Sequence, residues 1–459
     1  MLRRGRLTGG GILFLAFAFT VMADPVSSIA YAIESALHRL DGDLEDLFPA
    51  MALVIGTIAV IAATYHQLIR RFPEGGGGAR SVGTAYGEAW AFIPLGALLV
   101  DFVITVAISC AAGASAIIAY VPELAPERVL LAVTLAALVA AGISVGHRGR
   151  VAFAAATLLF ISLGLIVIVA GAAGPAQAPG PDQSAEPLVA DASLIPALLA
   201  MPLAMALATG IEAPSDAIAQ LGDLERPARR RFGQGTIWLT VGIVAVLTIG
   251  ISTLAVARGV GLPPADSTLL AEVARMSVGD GAVFAAFQAA SALLLLAAAA
   301  SSYLAASGLL KALALVGANR ADGGLVPARF ALLNRFHIPT WGILVVLVAS
   351  AVLIVVAGGQ DQEIVRYYAV AVFAGFLGAT VGCARLSHRD GKRAELAVNL
   401  IGVGLVGFVL ALNVARPAGL IVLGAAGLVA GYLYAAWVRR GRPAGVAEAE
   451  LIAEADEPA

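Results

Sequence analysis

Apolar residues in this chain come in long, nearly unbroken runs. A helix that crosses a bilayer needs about 20 mostly apolar residues. Twelve such stretches can be laid out: 12–37, 48–70, 90–120, 129–145, 151–171, 194–217, 237–257, 282–311, 341–357, 364–383, 396–412 and 420–437. None alternates with the period of two that a lipid-facing barrel strand needs. The pattern therefore predicts an all-α polytopic membrane protein with 12 transmembrane helices, each satisfying its own backbone. It divides the chain into an N-terminal segment (1–11), a ten-helix transport core (12–384), helices 11 and 12 (385–438) and a short acidic tail (439–459).

The charged residues test that count. Of the 29 basic residues, 23 fall in alternate loops on one side, from Arg3 to Arg442, and 6 (Arg39, Arg128, Arg258, Arg275, Arg366 and Arg416) on the other. Basic residues collect in cytoplasmic loops, so both termini are expected in the cytoplasm, in a cell inner or plasma membrane. The opposite loops are acidic or bland, as in Asp41, Asp43, Glu45 and Asp46 or 180–187, and the tail after Arg442 reads as solvated. The apolar run after Arg3, Arg4 and Arg6 continues past Asp24 without a small-residue cleavage pattern, so it reads as an uncleaved first helix.

Composition agrees: 459 residues, 60% hydrophobic, 13% charged, mean hydropathy +0.90 and net charge -2. Soluble domains are about 45–50% apolar and about 25% charged, so a soluble enzyme, a disordered chain and a nucleic-acid binder are excluded. Cys110 and Cys383 lie in apolar runs with no CxxC spacing, which supports neither a disulfide framework nor a zinc site. The five histidines, His38, His66, His147, His337 and His388, fall at helix ends or loops, and no Ser-His-Asp arrangement exists. No cofactor is expected.

Three acids lie deep in predicted helices: Asp24, Asp101 and Glu212. Each costs about 2.5–3.5 kcal/mol at the bilayer centre, on the order of 8–10 kcal/mol together, and such residues mark ion and proton pathways. No Lys or Arg lies deep enough to pair with them, so a bound cation, a proton or a wet cavity must compensate. Pro25 follows Asp24, and proline removes a helix hydrogen bond, so the first helix is expected to break there; Tyr31 lies two turns on. Asp101, Thr105 and Ser109 are spaced i, i+4, i+8, stacking three oxygens on one face at about 6 Å intervals. Gly210 and Pro214 flank Glu212 and predict a broken sixth helix. Paired interruptions in corresponding positions of two halves point to a transport site. Pro73-Glu-Gly-Gly-Gly-Gly-Ala79 lacks the Lys-Ser/Thr of a phosphate loop and is expected to be a flexible or re-entrant gate segment.

These stretches resemble a known family. Asp24-Pro-Val-Ser-Ser-Ile-Ala-Tyr31, Tyr65-His-Gln-Leu-Ile-Arg-Arg-Phe-Pro-Glu-Gly-Gly-Gly77, Leu99-Val-Asp-Phe-Val-Ile-Thr-Val-Ala-Ile-Ser109, Thr209-Gly-Ile-Glu-Ala213 and Tyr368-Ala-Val-Ala-Val-Phe373 are similar, in order, to segments of KimA-type potassium importers of the amino acid–polyamine–organocation (APC) superfamily. The resemblance implies a LeuT-like 5+5 inverted repeat and potassium–proton symport, with potassium and protons as substrates. It implies potassium coordination at Asp24, Tyr31, Asp101, Thr105, Ser109, Thr209 and Tyr368, and proton coupling at Glu212. This chain departs from the family at Pro25, where Ala is usual. It also ends soon after Arg442, which leaves a homodimer and cyclic di-AMP regulation open. The alternative reading is an amino-acid or polyamine permease of the same superfamily. An acid at the first-helix break repels a carboxylate substrate and so weighs against amino acids more than against amines.

Overall fold

The computed structural model describes residues 13–146, 149–174, 194–221, 224–318 and 324–455. The glycines at 9–11, His147, the loop at 180–187 and the last acidic residues, 456 and 457, lie outside them. Among the described residues every regular element is a helix. The first apolar stretch forms α1 (13–21), α2 (Ala23–Ser27) and α3 (Ile29–Arg39). Then come α4 (Leu47–Arg71), α5 (Gly77–Tyr86), α6 (Phe92–Tyr120), α7 (Arg128–Ser144), α8 (Arg150–Ala173), α9 (Leu194–Ala204), α10 (Ala213–Asp216) and α11 (Arg226–Arg258). The chain continues through α12 (Leu269–Val278), α13 (Ala282–Leu315), α14 (Thr340–Val356), α15 (Asp361–Arg389), α16 (Arg393–Val414), α17 (Pro417–Arg439) and α18 (Ala449–Ala455).

Ten helical stretches among the described residues are long and apolar enough to cross a membrane. They coincide with ten of the twelve expected spans. The other two are the α1–α3 segment and α14, whose 17 residues reach about 26 Å. The protein is a multi-pass membrane protein. Leu130, Leu138, Val169, Leu400, Ile421 and Leu428 are exposed on the outer helices, where lipid is as apolar as their own side chains.

Two closely packed sets of helices share one continuous apolar core, and α15 packs against α5, α6 and α16. α6, α7, α13 and α14 pack closely on one another; α4 packs along α11 and, with α3, against α9. Polar side chains join helices in the interior. Asn399 on α16 donates to Gln67 Oε1 at 2.9 Å and to Ser387 Oγ at 3.2 Å, and accepts from the Thr64 hydroxyl at 3.0 Å. Beside it, Arg70 pairs with Glu395, and Arg71 pairs with Asp390 at 2.5 Å.

Two segments take definite shape. The glycine run is ordered in this conformation: Gly75, Gly76 and Gly77 take φ of +106°, +100° and +38°, conformations open to glycine, and turn the chain tightly into α5. Among the described residues of the tail, the stretch around 446–453 docks on the helices. Gly445 and Ala447 N–H groups donate to Glu88 at 3.2 and 2.8 Å, and Val446, Ala449 and Ala453 are buried. Small side chains permit this docking: a Cβ on Gly83 would lie 2.4 Å from Ala447 Cβ.

Candidate functional site

The first apolar stretch is divided into three short helices around its proline. α1, α2 and α3 are separated by irregular turns at Met22 and Ser28, yet Val26 still bonds Met22 O and Ala32 bonds Ser28 O. Pro25 sits in the first turn of α2, where its missing N–H is least costly. The Ser27 and Ser28 hydroxyls return bonds of 2.8 and 2.7 Å to the carbonyls of Asp24 and Pro25. Between α9 and α10 the interruption is deeper. Thr209 is extended (ψ 142°) and Gly210 has φ +77° before Glu212 caps α10.

The two irregular segments face each other. A Cβ on Gly210 would lie 2.6 Å from Pro25 Cδ and 2.9 Å from Asp24 Oδ2. Ser28 Oγ also reaches Leu207 O at 3.3 Å. Glycine at 210 thus provides both the left-handed turn and the close approach that sets Glu212 near Asp24. Asp101 on α6 completes the group, and the three carboxylates lie within electrostatic reach of one another.

Beyond them is a buried layer of hydroxyls. Tyr31 and Tyr368 rings meet edge to face, centroids 6.3 Å apart, and Thr105 donates to Tyr368 Oη at 3.2 Å. Tyr31, Thr105, Ser109, Thr209 and Tyr368 are all buried. Asp24 Oδ1, Tyr31 Oη, Asp101 Oδ1, Ser109 Oγ and Glu212 Oε2 have no hydrogen-bond partner. Thr209 spends its proton on Ala206 O at 2.9 Å and keeps its lone pairs.

The carboxylates also line two cavities. One, of about 670 Å³, runs from Asp24, Asp101 and Glu212 past Ser302 to Gly146, Gly149, Phe336 and His337 at the arginine-rich end. The other, of about 30 Å³, is a chamber bounded by Tyr65, Asp101, Glu212, Asp216, Phe376 and Glu450. Among the described residues no Lys or Arg lines either one. The opposite end is sealed. Ser35 donates to Gln362 Oε1 at 2.7 Å, Ser115 to Asp361 Oδ1 at 2.7 Å, Arg128 to Ser115 Oγ at 2.7 Å, and the Leu269 N–H to Glu34 at 2.8 Å.

A profile of the amino acid permease family matches residues 14–433. The chain belongs to the amino acid permease family. This is a family of transporters, which fits two cavities converging on buried acids. The chain is also 28% identical over 366 residues to the potassium transporter KimA of Bacillus subtilis (strain 168), covering 77% of this chain and 58% of that one. It thus spans under three-fifths of that relative's length.

Sequence reasoning missed several residues. Glu34, Asp361 and Arg128 are buried at the sealed end, although their places at predicted helix ends suggested exposure. Glu450, in the tail, reaches the chamber. The i, i+4 pairing of Glu34 with His38 was the one local signal in the sequence for any of them.

Proposed function

We propose that this permease imports potassium together with a proton. The observation that carries this reading is the cluster of partnerless oxygens at Asp24, Tyr31, Asp101 and Ser109. Buried charge and dipoles of one sign favour a small cation that exchanges its water shell for protein oxygens. In this reading Asp24, Tyr31, Asp101, Thr105, Ser109, Thr209 and Tyr368 coordinate potassium. Glu212, between the ion site and the wide cavity, loads and releases the proton. The α1–α3 segment and the α9–α10 segment are corresponding helices of a LeuT-like inverted repeat within twelve spans. The arginine-rich end, with both termini, faces the cytoplasm of a cell inner membrane. No cofactor takes part. The named activity of the 28% identical relative supports the same substrate.

The test is rubidium uptake by cells lacking their own potassium import, at micromolar concentration. Wild type rescues uptake and Asp101→Ala does not; full rescue by Asp101→Ala refutes the assigned site. Glu212→Gln loses the wild-type response to external pH, and an unchanged response refutes the proton role. A second reading, amine or amino-acid transport, draws on the 670 Å³ cavity, which falls in the range of small-molecule sites. Competition of rubidium uptake by potassium but not by amines or amino acids favours the ion. The reverse pattern favours the organic solute.

A further inference from the structure

The docked C-terminal helix lies where two groups of helices must move past one another. α18 packs along α13, which belongs with α6, α7 and α14, and also touches α10 and residues 217–221, which pack on α4 and α11. It therefore touches both groups at the arginine-rich end, where its Glu450 lines the 30 Å³ chamber and the neighbouring Asp216 lines both cavities. The contact is closely fitted. A Cβ on Gly77 would fall 2.9 Å from Glu450 Oε2 and 2.1 Å from Asp216 Oδ1, so Gly77 leaves room for one carboxylate from α18 and one from α10. A Cβ on Gly308 of α13 would lie 3.5 Å from Ala453 Cβ. Upstream, Glu88 holds the approach to α18 through two backbone N–H groups, and Trp437 Nε1 donates to Pro443 O at 2.8 Å.

Transporters of this kind expose their site alternately by rocking one bundle against the other. Packed interiors do not compress, so closing the arginine-rich end needs the space that α18 fills. We propose that α18 is a built-in strap that holds the arginine-rich end open, and that each transport cycle requires its release. It places Glu450 on the 30 Å³ chamber with Asp101 and Glu212, so seating and release of the strap also remake one wall of the site. The proposal rests on the transporter reading above, and its test separates the two.

The separation at Gly308 and Ala453 matches the Cβ–Cβ distance of a disulfide, about 3.5–4.5 Å. The double variant Gly308→Cys/Ala453→Cys is made in a background with Cys110→Ala and Cys383→Ala and reconstituted in vesicles. Oxidation is expected to lower rubidium flux at least tenfold and dithiothreitol to restore it; full flux in the oxidised form overturns the proposal. A second readout needs no substrate. With Ser35→Cys added at the sealed end of the Cys110→Ala/Cys383→Ala background, a membrane-impermeant maleimide should react several-fold faster in a chain ending at residue 445 than in the full chain. Equal rates overturn the strap. Absence of rubidium flux in every form refutes the potassium reading, while the labelling comparison still decides the strap.

Discussion

Replacing Gly210 by alanine tests the convergence on which the site depends. The residue has φ +77°, where an L side chain costs roughly 1–2 kcal/mol. The new methyl would stand 2.6 Å from Pro25 Cδ and 2.9 Å from Asp24 Oδ2. Overpacking of this kind costs typically about 1–3 kcal/mol. The combined strain, about 2–5 kcal/mol, is relieved by pushing the α9–α10 segment away from α2, which separates Glu212 from Asp24. If only about 1.4–2.8 kcal/mol of it falls on the bound state, affinity drops about 10- to 100-fold. The assay is the concentration dependence of rubidium uptake, with the amount of folded protein checked by gel filtration in detergent. Gly56→Ala is the control. It lies mid-helix in α4 with nothing within 4 Å of a new Cβ, and removing a helix glycine is neutral or favourable by up to about 1 kcal/mol. A Gly210→Ala protein with wild-type affinity and folding refutes the claim that these two segments must touch.

Asn399→Leu leaves Gln67 and Thr64 without their shared partner, and interhelical bonds in membranes average about 0.6 kcal/mol. The expected loss for two or three of them is about 1–2 kcal/mol, read as earlier thermal unfolding in detergent with little change in uptake affinity. Gln362→Ala removes the bond to Ser35 at the sealed end. It is expected to raise labelling of an introduced Ser115→Cys from that side, and unchanged labelling counts against the seal. Tyr368→Phe keeps the ring contact with Tyr31 but leaves Thr105 without its acceptor, so uptake affinity should fall about threefold to tenfold, as for loss of a typical hydrogen bond of about 0.5–1.5 kcal/mol. An unchanged affinity removes Tyr368 from the site.

Much of the fold was legible because lipid makes hydropathy decisive. Ten of the twelve expected stretches form helices of spanning length and composition, and Asp24, Asp101 and Glu212 were conspicuous as acids in apolar runs. The i, i+4, i+8 spacing put Asp101, Thr105 and Ser109 on one buried face. Other features depend on contacts between distant segments. Pro25 suggested a break, and the sequence did not show that the Ser27 and Ser28 hydroxyls would bond the neighbouring carbonyls. Glu450 looked solvated because its segment is short and acidic, and only the glycine surfaces at residues 77, 83 and 308 explain its burial. Arg128 was counted with the loop arginines and Asp361 drew no notice, because a charged residue bonded to Ser115 looks the same in sequence as one in water.

The unequal sealing of the two ends also fixes where the membrane voltage acts. The cavity of about 670 Å³ is wide enough to admit water, and a hydrated cavity carries little of the potential difference. Most of it then falls across the packed layer between the carboxylates and the Ser35–Gln362 and Ser115–Asp361 bonds. On the proposed reading, a cation held at Asp24 and Asp101 in this conformation would already sit close to the electrical potential of the arginine-rich side. Since about 2.3 kcal/mol per 100 mV is available to each charge crossing the full potential, electrical work is done while that layer opens and reseals, and scarcely any during departure through the cavity.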